Sequence, residues 1–133
     1  MSQRQCPVLI FDKPGTTYDE ALRTMLEFFV RDGWMFDIHY VDNIRDPDQI
    51  RFMQSREFGV VFLDLRSRSA GFANHVHSDL LTASHKDHLV VIAHSVPDEE
   101  RDKFDDVLFT YPIVTKVEVD NFCTAISAVL ARQ

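Results

Sequence analysis

The segment Val8-Leu-Ile-Phe11 runs into Asp12 and Lys13 and then into the turn Pro14-Gly15-Thr16-Thr17. Backbone N–H groups in a turn of this kind can cradle a phosphate. The Asp12 carboxylate can instead help hold a metal ion, or the loop can be a plain connection. A second carboxylate, Asp64, ends the apolar run Gly59-Val-Val-Phe-Leu63. Six histidines add candidates, with His75 and His77 two apart and His85 and His88 three apart. Zinc needs three or four converging ligands, whereas His75 and His77 fall on different sides of a helix with no cysteine near. Solvated histidines are therefore expected. His94 follows a later apolar run, Leu89–Ala93, on the same edge as Asp64, and a satisfied loop histidine is preferred there over a catalytic one.

These residues need elements to position them, and 133 residues suffice for one domain, 1–133, with its own core. Hydrophobic residues make up 45% and charged residues 26%. No apolar run approaches the roughly 20 residues of a membrane helix, and the first residues lack an apolar leader. Cys6 and Cys123 form no CxxC pair and read as buried free thiols in a reducing compartment, so a cytoplasmic location is expected. A net charge of −7 without a basic stripe argues against nucleic acid and against an anionic membrane surface.

Periodicity then alternates between strand and helix. Val8–Phe11 reads as a buried strand. Apolar positions at helical spacing from Thr17 to Arg31 read as a helix closed by Gly33, with Asp19 and Glu20 favoured by the dipole of its first turn. Met35–Val41 alternates like an edge strand, and Asp46-Pro47 opens a short helix to about Phe58. Gly59–Leu63 and Leu89–Ala93 are apolar throughout and read as central strands. A helix over Phe72–His85 presents Phe72, Val76 and Leu80. A polar helix from Pro97 buries Phe104, Val107 and Leu108. Tyr111–Val117, which contains Pro112, reads as an edge strand, and Asp120 caps a last helix. Such alternation predicts a doubly wound parallel α/β sheet of five strands in the flavodoxin-like order 2-1-3-4-5. In that order, ligands sit outside the carboxyl ends of the first and third strands, where Asp12 and Asp64 lie.

Over essentially the whole chain this pattern resembles the receiver (response-regulator) domains of two-component signalling. The resemblance implies that Asp64 stands at the phosphoacceptor position, Lys116 of Ile113-Val-Thr-Lys116 at the phosphoryl-lysine position, and Asp12 at the first of two magnesium-holding acids. Lys13 replaces the second acid, in position to pair with Asp64 or Asp12. Ala93 replaces the switch hydroxyl, Ser95 comes two residues late, and Ile113 replaces the switch aromatic. Leu65-Arg66 stands where Met-Pro often follows the acceptor. A degenerate, non-catalytic receiver is the expectation, needing no cofactor and acting through protein contacts. Magnesium belongs to the rival reading, a competent receiver phosphorylated on Asp64. In receivers the face of helix 4, strand 5 and helix 5 is the usual contact surface. Here it carries the acidic run Asp98–Asp106, suited to a basic partner, an output domain or a second copy of the chain. The Arg66-Ser-Arg-Ser69 run reads as a solvated loop, with anion binding or phosphate modification as alternatives. Asp64-Leu65-Arg66 and the Lys116-Val-Glu-Val-Asp-Asn-Phe122 junction are also similar to the receiver-like segment of type 8 cyclic-nucleotide phosphodiesterases. A flavodoxin resemblance is narrower still: Pro14-Gly15-Thr16-Thr17 looks like half of a flavin-phosphate loop, but Asp12 would repel the phosphate.

Overall fold

The computed structural model describes residues 4–65, 70–94, 96–116 and 118–133. Ser95, Val117 and the Arg66–Ser69 run lie outside them. Five parallel strands form one sheet: β1 (Arg4–Ile10), β2 (Trp34–Tyr40), β3 (Val60–Asp64), β4 (Leu89–Ile92) and β5 (Ile113–Val114), in the spatial order β2-β1-β3-β4-β5. This is the expected flavodoxin-like arrangement. Between the strands run α1 (Thr17–Glu27), α2 (Pro47–Gln54), α3 (Ala70–His75) and α4 (Ala83–Lys86), and α5 (Val119–Leu130) follows β5.

Strand alternation divides the core by sheet face. Val8, Ile10, Val60, Phe62, Val90, Ile92 and Val114 pack towards Leu22 and Leu26 of α1 and Phe122, Ile126 and Val129 of α5. Leu9, Val61, Leu63, Leu89 and Val91 pack towards Met53 of α2, Ala73 of α3 and, further along, Leu81, Phe104 and Leu108. The central strands are buried on both faces, which explains their unbroken apolar runs. β2, paired only with β1, alternates as expected: Phe36, Ile38 and Tyr40 face the α1 side. At its amino end the Arg4 guanidinium lies 4.3 Å over the Trp34 ring, and that ring is buried.

Several expected elements are shorter or broken. α1 stops at Glu27. A 3-10 turn, Val30–Asp32, follows and closes on Gly33 at φ 90°, leaving Val30 exposed. The helix expected over Phe72–His85 is interrupted. A π-helical turn, Val76–Leu80, ends in extended Leu81, and Thr82 then caps α4.

The helix expected after Pro97 consists of two 3-10 turns, Asp98–Lys103 and Asp106–Thr110, separated by extended Phe104 and Asp105. An α-helix there would set the like charges Asp98/Asp102 and Asp102/Asp106 four residues apart, a small penalty. Asn74 supplies the backbone partners at the break, donating to the Lys103 carbonyl at 3.0 Å and accepting the Asp105 N–H at 3.1 Å. Val107 is consequently exposed, while Phe104 and Leu108 are buried.

β5 is two residues long, so Lys116 lies beyond the strand rather than in it. The Thr115 and Lys116 N–H groups turn to Asn121 Oδ1 at 2.8 and 3.3 Å instead of continuing the sheet. Asp120 falls in the first turn of α5 rather than at its cap.

Candidate functional site

The carboxyl edge of the sheet collects the residues that the sequence singled out. Asp64 is the last residue of β3, in register with Ile92 of β4 and half-buried. Asp12 lies two residues past β1 and is also half-buried. Ala93 continues β4 and donates its N–H to Val114 at 2.8 Å. Ala93, Ile113, exposed His94 and Thr115 line a cavity of about 260 Å³, beside Arg101, whose guanidinium lies 4.0 Å over Phe109. Lys116 is exposed, as is Lys13. Neither lysine makes an ion pair among the described residues, so Lys13 does not pair with Asp12 or Asp64 there.

The β1–α1 loop is organised by its own polar groups. Asp12 accepts the Lys13 N–H at 2.8 Å and the Thr16 hydroxyl hydrogen. Thr16 in turn caps α1, its hydroxyl oxygen accepting the Asp19 N–H at 3.1 Å. Asp19 is fully buried. Its Oδ2 accepts the Gly15 N–H at 2.8 Å and faces Arg23 Nε at 3.3 Å, and its Oδ1 accepts the Tyr40 hydroxyl hydrogen at 2.7 Å. Gly15 takes φ 85°, a left-handed conformation that side chains with a Cβ rarely adopt. The loop is thereby tied to α1 and to the edge strand. The sequence pattern marks Asp19 only as an acid favoured by the helix dipole. The Thr16-x-x-Asp19 and Asp19-x-x-x-Arg23 spacings were the signals for its larger role.

Burial first, then the hydrogen bond and charge of Asp19, push the Tyr40 phenol up to about 12, partly opposed by Arg23. The folded state thus holds a proton that the unfolded chain releases near pH 10. The contribution is complete below the unfolded value and is lost as pH rises through the folded one. Ultraviolet phenolate titration is expected to show Tyr40 ionising near 12, and Asp19→Asn should lower that midpoint. A Tyr40 midpoint at the ordinary tyrosine value would contradict this assignment.

The histidines divide unexpectedly. His75 is exposed and pairs with Asp79 at 2.7 Å, but His77 and His85 are buried, not solvated. His85 Nδ1 accepts the Thr82 N–H at 3.1 Å, and its Nε2–H donates to the Arg56 carbonyl at 2.7 Å, which sets the tautomer. The Thr82-x-x-His85 spacing is a capping box with histidine in the usual Glu position. Both thiols are free, Cys6 buried and Cys123 partly so, and burial pushes Cys6 up to about 11.

Among the described residues, no group of three or more His, Cys, Asp or Glu side chains is placed to hold a metal ion, and no helix is long and apolar enough to cross a membrane. No protein-family model, curated protein or solved structure matches the chain.

Proposed function

We propose that this chain is a receiver-like regulatory module that acts through protein contacts and does not transfer phosphoryl groups. The observation that carries this reading is the direction of the Asp12 carboxylate, which is turned into its own loop by the Lys13 N–H and the Thr16 hydroxyl. A working acidic site would present its carboxylates to magnesium, which prefers one or two of them together with water and phosphate oxygens. Lys13 instead puts an exposed cation at the second acidic position. Ala93 offers no hydroxyl to report a phosphoryl group at Asp64.

The contact surface in this reading comprises residues 98–110, β5 and α5. It presents Asp98, Glu99 and Asp102 together with Val107 and Val119, each 43% exposed. Its partner is a basic protein surface, an output domain of a longer protein or a second copy of the chain. The narrower similarity to the phosphodiesterase segment supports the second of these. Charge reversal at Glu99 and Asp102 is expected to weaken the association.

Titration with magnesium and beryllofluoride, followed by amide NMR, tests the reading directly. The expected result is no saturable response at Asp12, Asp64, Ala93 or Lys116 at millimolar magnesium. Saturable shifts at those positions that disappear in Asp64→Asn would establish a competent phosphoacceptor and overturn the proposal.

A further inference from the structure

His77 lies in the π-helical turn Val76–Leu80, closed by the Leu81 N–H to the Val76 carbonyl at 2.9 Å. Such widened turns recur at functional sites. This one buries the adjacent residues Val76 and His77 together. His77 Nε2 lies 2.8 Å from the Tyr111 hydroxyl, with the two rings edge to face at 5.4 Å. Tyr111 closes the acidic segment 98–110, just before Pro112 and β5. One turn before His77, Asn74 makes its two hydrogen bonds to the middle of that segment. The segment packs Phe104 and Leu108, with half-buried Phe109 and Tyr111, on the core, and polar ties to α3 and the π-helical turn add to that attachment.

We propose that His77 and Tyr111 form a pH-sensitive latch, and that acidification releases the segment 98–111 from the π-helical turn. A protonated imidazole would place a charge in a buried site whose hydrogen-bonding partner is a neutral phenol, at a desolvation cost. Burial holds His77 below the ordinary histidine range, and Lys86 of α4 pushes it the same way, against a smaller opposing pull from Asp105 in the segment itself. Burial raises Tyr111, as does Asp87 beside α4, so its hydroxyl keeps its proton at neutral pH. His75 and Asp79, on the exposed side of the same turn, satisfy each other.

The sign follows from the depressed histidine. The latch is fully formed above the unfolded-state value of about 6.5 and weakens as pH falls through the folded-state value. With a single proton linked, the opening constant rises by at most about tenfold per pH unit. The latch does not depend on the receiver reading, and its test involves neither phosphorylation nor a partner.

Hydrogen exchange of the whole chain, corrected for intrinsic chemistry, would be compared at about pH 7.5 and about pH 5.5. Opening of residues 98–111 is expected to increase at the lower pH while β3 stays protected. His77→Phe keeps a ring against Tyr111 and removes the titrating group, so the pH response should vanish. NMR titration of the unsubstituted protein gives an independent readout: the His77 midpoint should fall below the ordinary range, with the Leu108 and Tyr111 amides shifting in step. Equal opening at both pH values, a pH response retained in His77→Phe, or His77 titration without shifts in 98–111 would each overturn the latch.

Discussion

Replacing Asp19 with alanine is expected to lower the unfolding free energy by about 3 kcal/mol, a large share of the 5–15 kcal/mol that holds a typical domain together. Two donors lose their acceptor at once, the Gly15 N–H and the Tyr40 hydroxyl, and the Arg23 guanidinium loses its ion-pair partner. Hydrogen bonds to a charged group are worth about 1.5–3 kcal/mol each in net terms. The sum is discounted because Gly15 is exposed and the Arg23 side chain is 45% exposed, so water can replace part of what they lose. Asp19→Asn keeps the volume and one acceptor and should cost less, about 1–2 kcal/mol. Tyr40→Phe removes a single bond and should cost about 1 kcal/mol. Urea denaturation of the three variants and of the Asp19→Ala/Tyr40→Phe pair completes a double-mutant cycle. A coupling indistinguishable from zero would mean that the Asp19–Tyr40 bond contributes nothing to folding.

His85→Ala is expected to cost a similar amount, about 3 kcal/mol, through a different balance of causes. The ring is fully buried, packed at 5.6 Å from Phe58, and both its nitrogens are engaged. Alanine leaves a cavity and strips partners from the Thr82 N–H and the Arg56 carbonyl. His85→Leu separates the two contributions, because leucine refills most of the volume and restores no hydrogen bond. About 2 kcal/mol of the loss should persist in His85→Leu. Full recovery by leucine would show that the residue acts by packing alone.

The sheet was legible because its strands obey a simple rule. Val8–Ile10, Val60–Leu63 and Leu89–Ile92 are apolar runs, β2 alternates and Pro112 precedes β5, and that contrast points to the order of the strands. The positions of Asp12 and Asp64 at strand ends followed from the same pattern. What the pattern could not show was where each polar group sends its hydrogen bonds. Asp19 and Glu20 are neighbours of like charge in one helical turn, yet one is fully buried and the other exposed. Asp19 meets Tyr40 of β2, the Gly15 N–H and Arg23, and it is these partners that separate it from Glu20. His77 and His85 were misjudged for the same reason, since their partners Tyr111 and Arg56 lie 34 and 29 residues away. The failed helix after Pro97 turns on Asn74, a residue about 30 positions upstream that takes over the backbone groups a helix would have used internally. Local composition reads as a helix there, because the side chain that replaces the helix is far away in the sequence.

Trp34, capped by Arg4 at the amino end of β2, makes the chain's intrinsic fluorescence a reporter with a definite blind spot. It is the only tryptophan. β2 is seven residues long, which places the indole roughly 20 Å along the sheet from the edge that holds Asp12 and Asp64. Its emission will register fraying of the β1–β2 pair or loss of the α1-side core. Occupation of the carboxyl edge, or movement of the acidic segment beyond β4, can leave it dark to change. Ligand screens read out by tryptophan emission would therefore score as inert even a compound that binds at that edge, unless a second fluorophore were installed there.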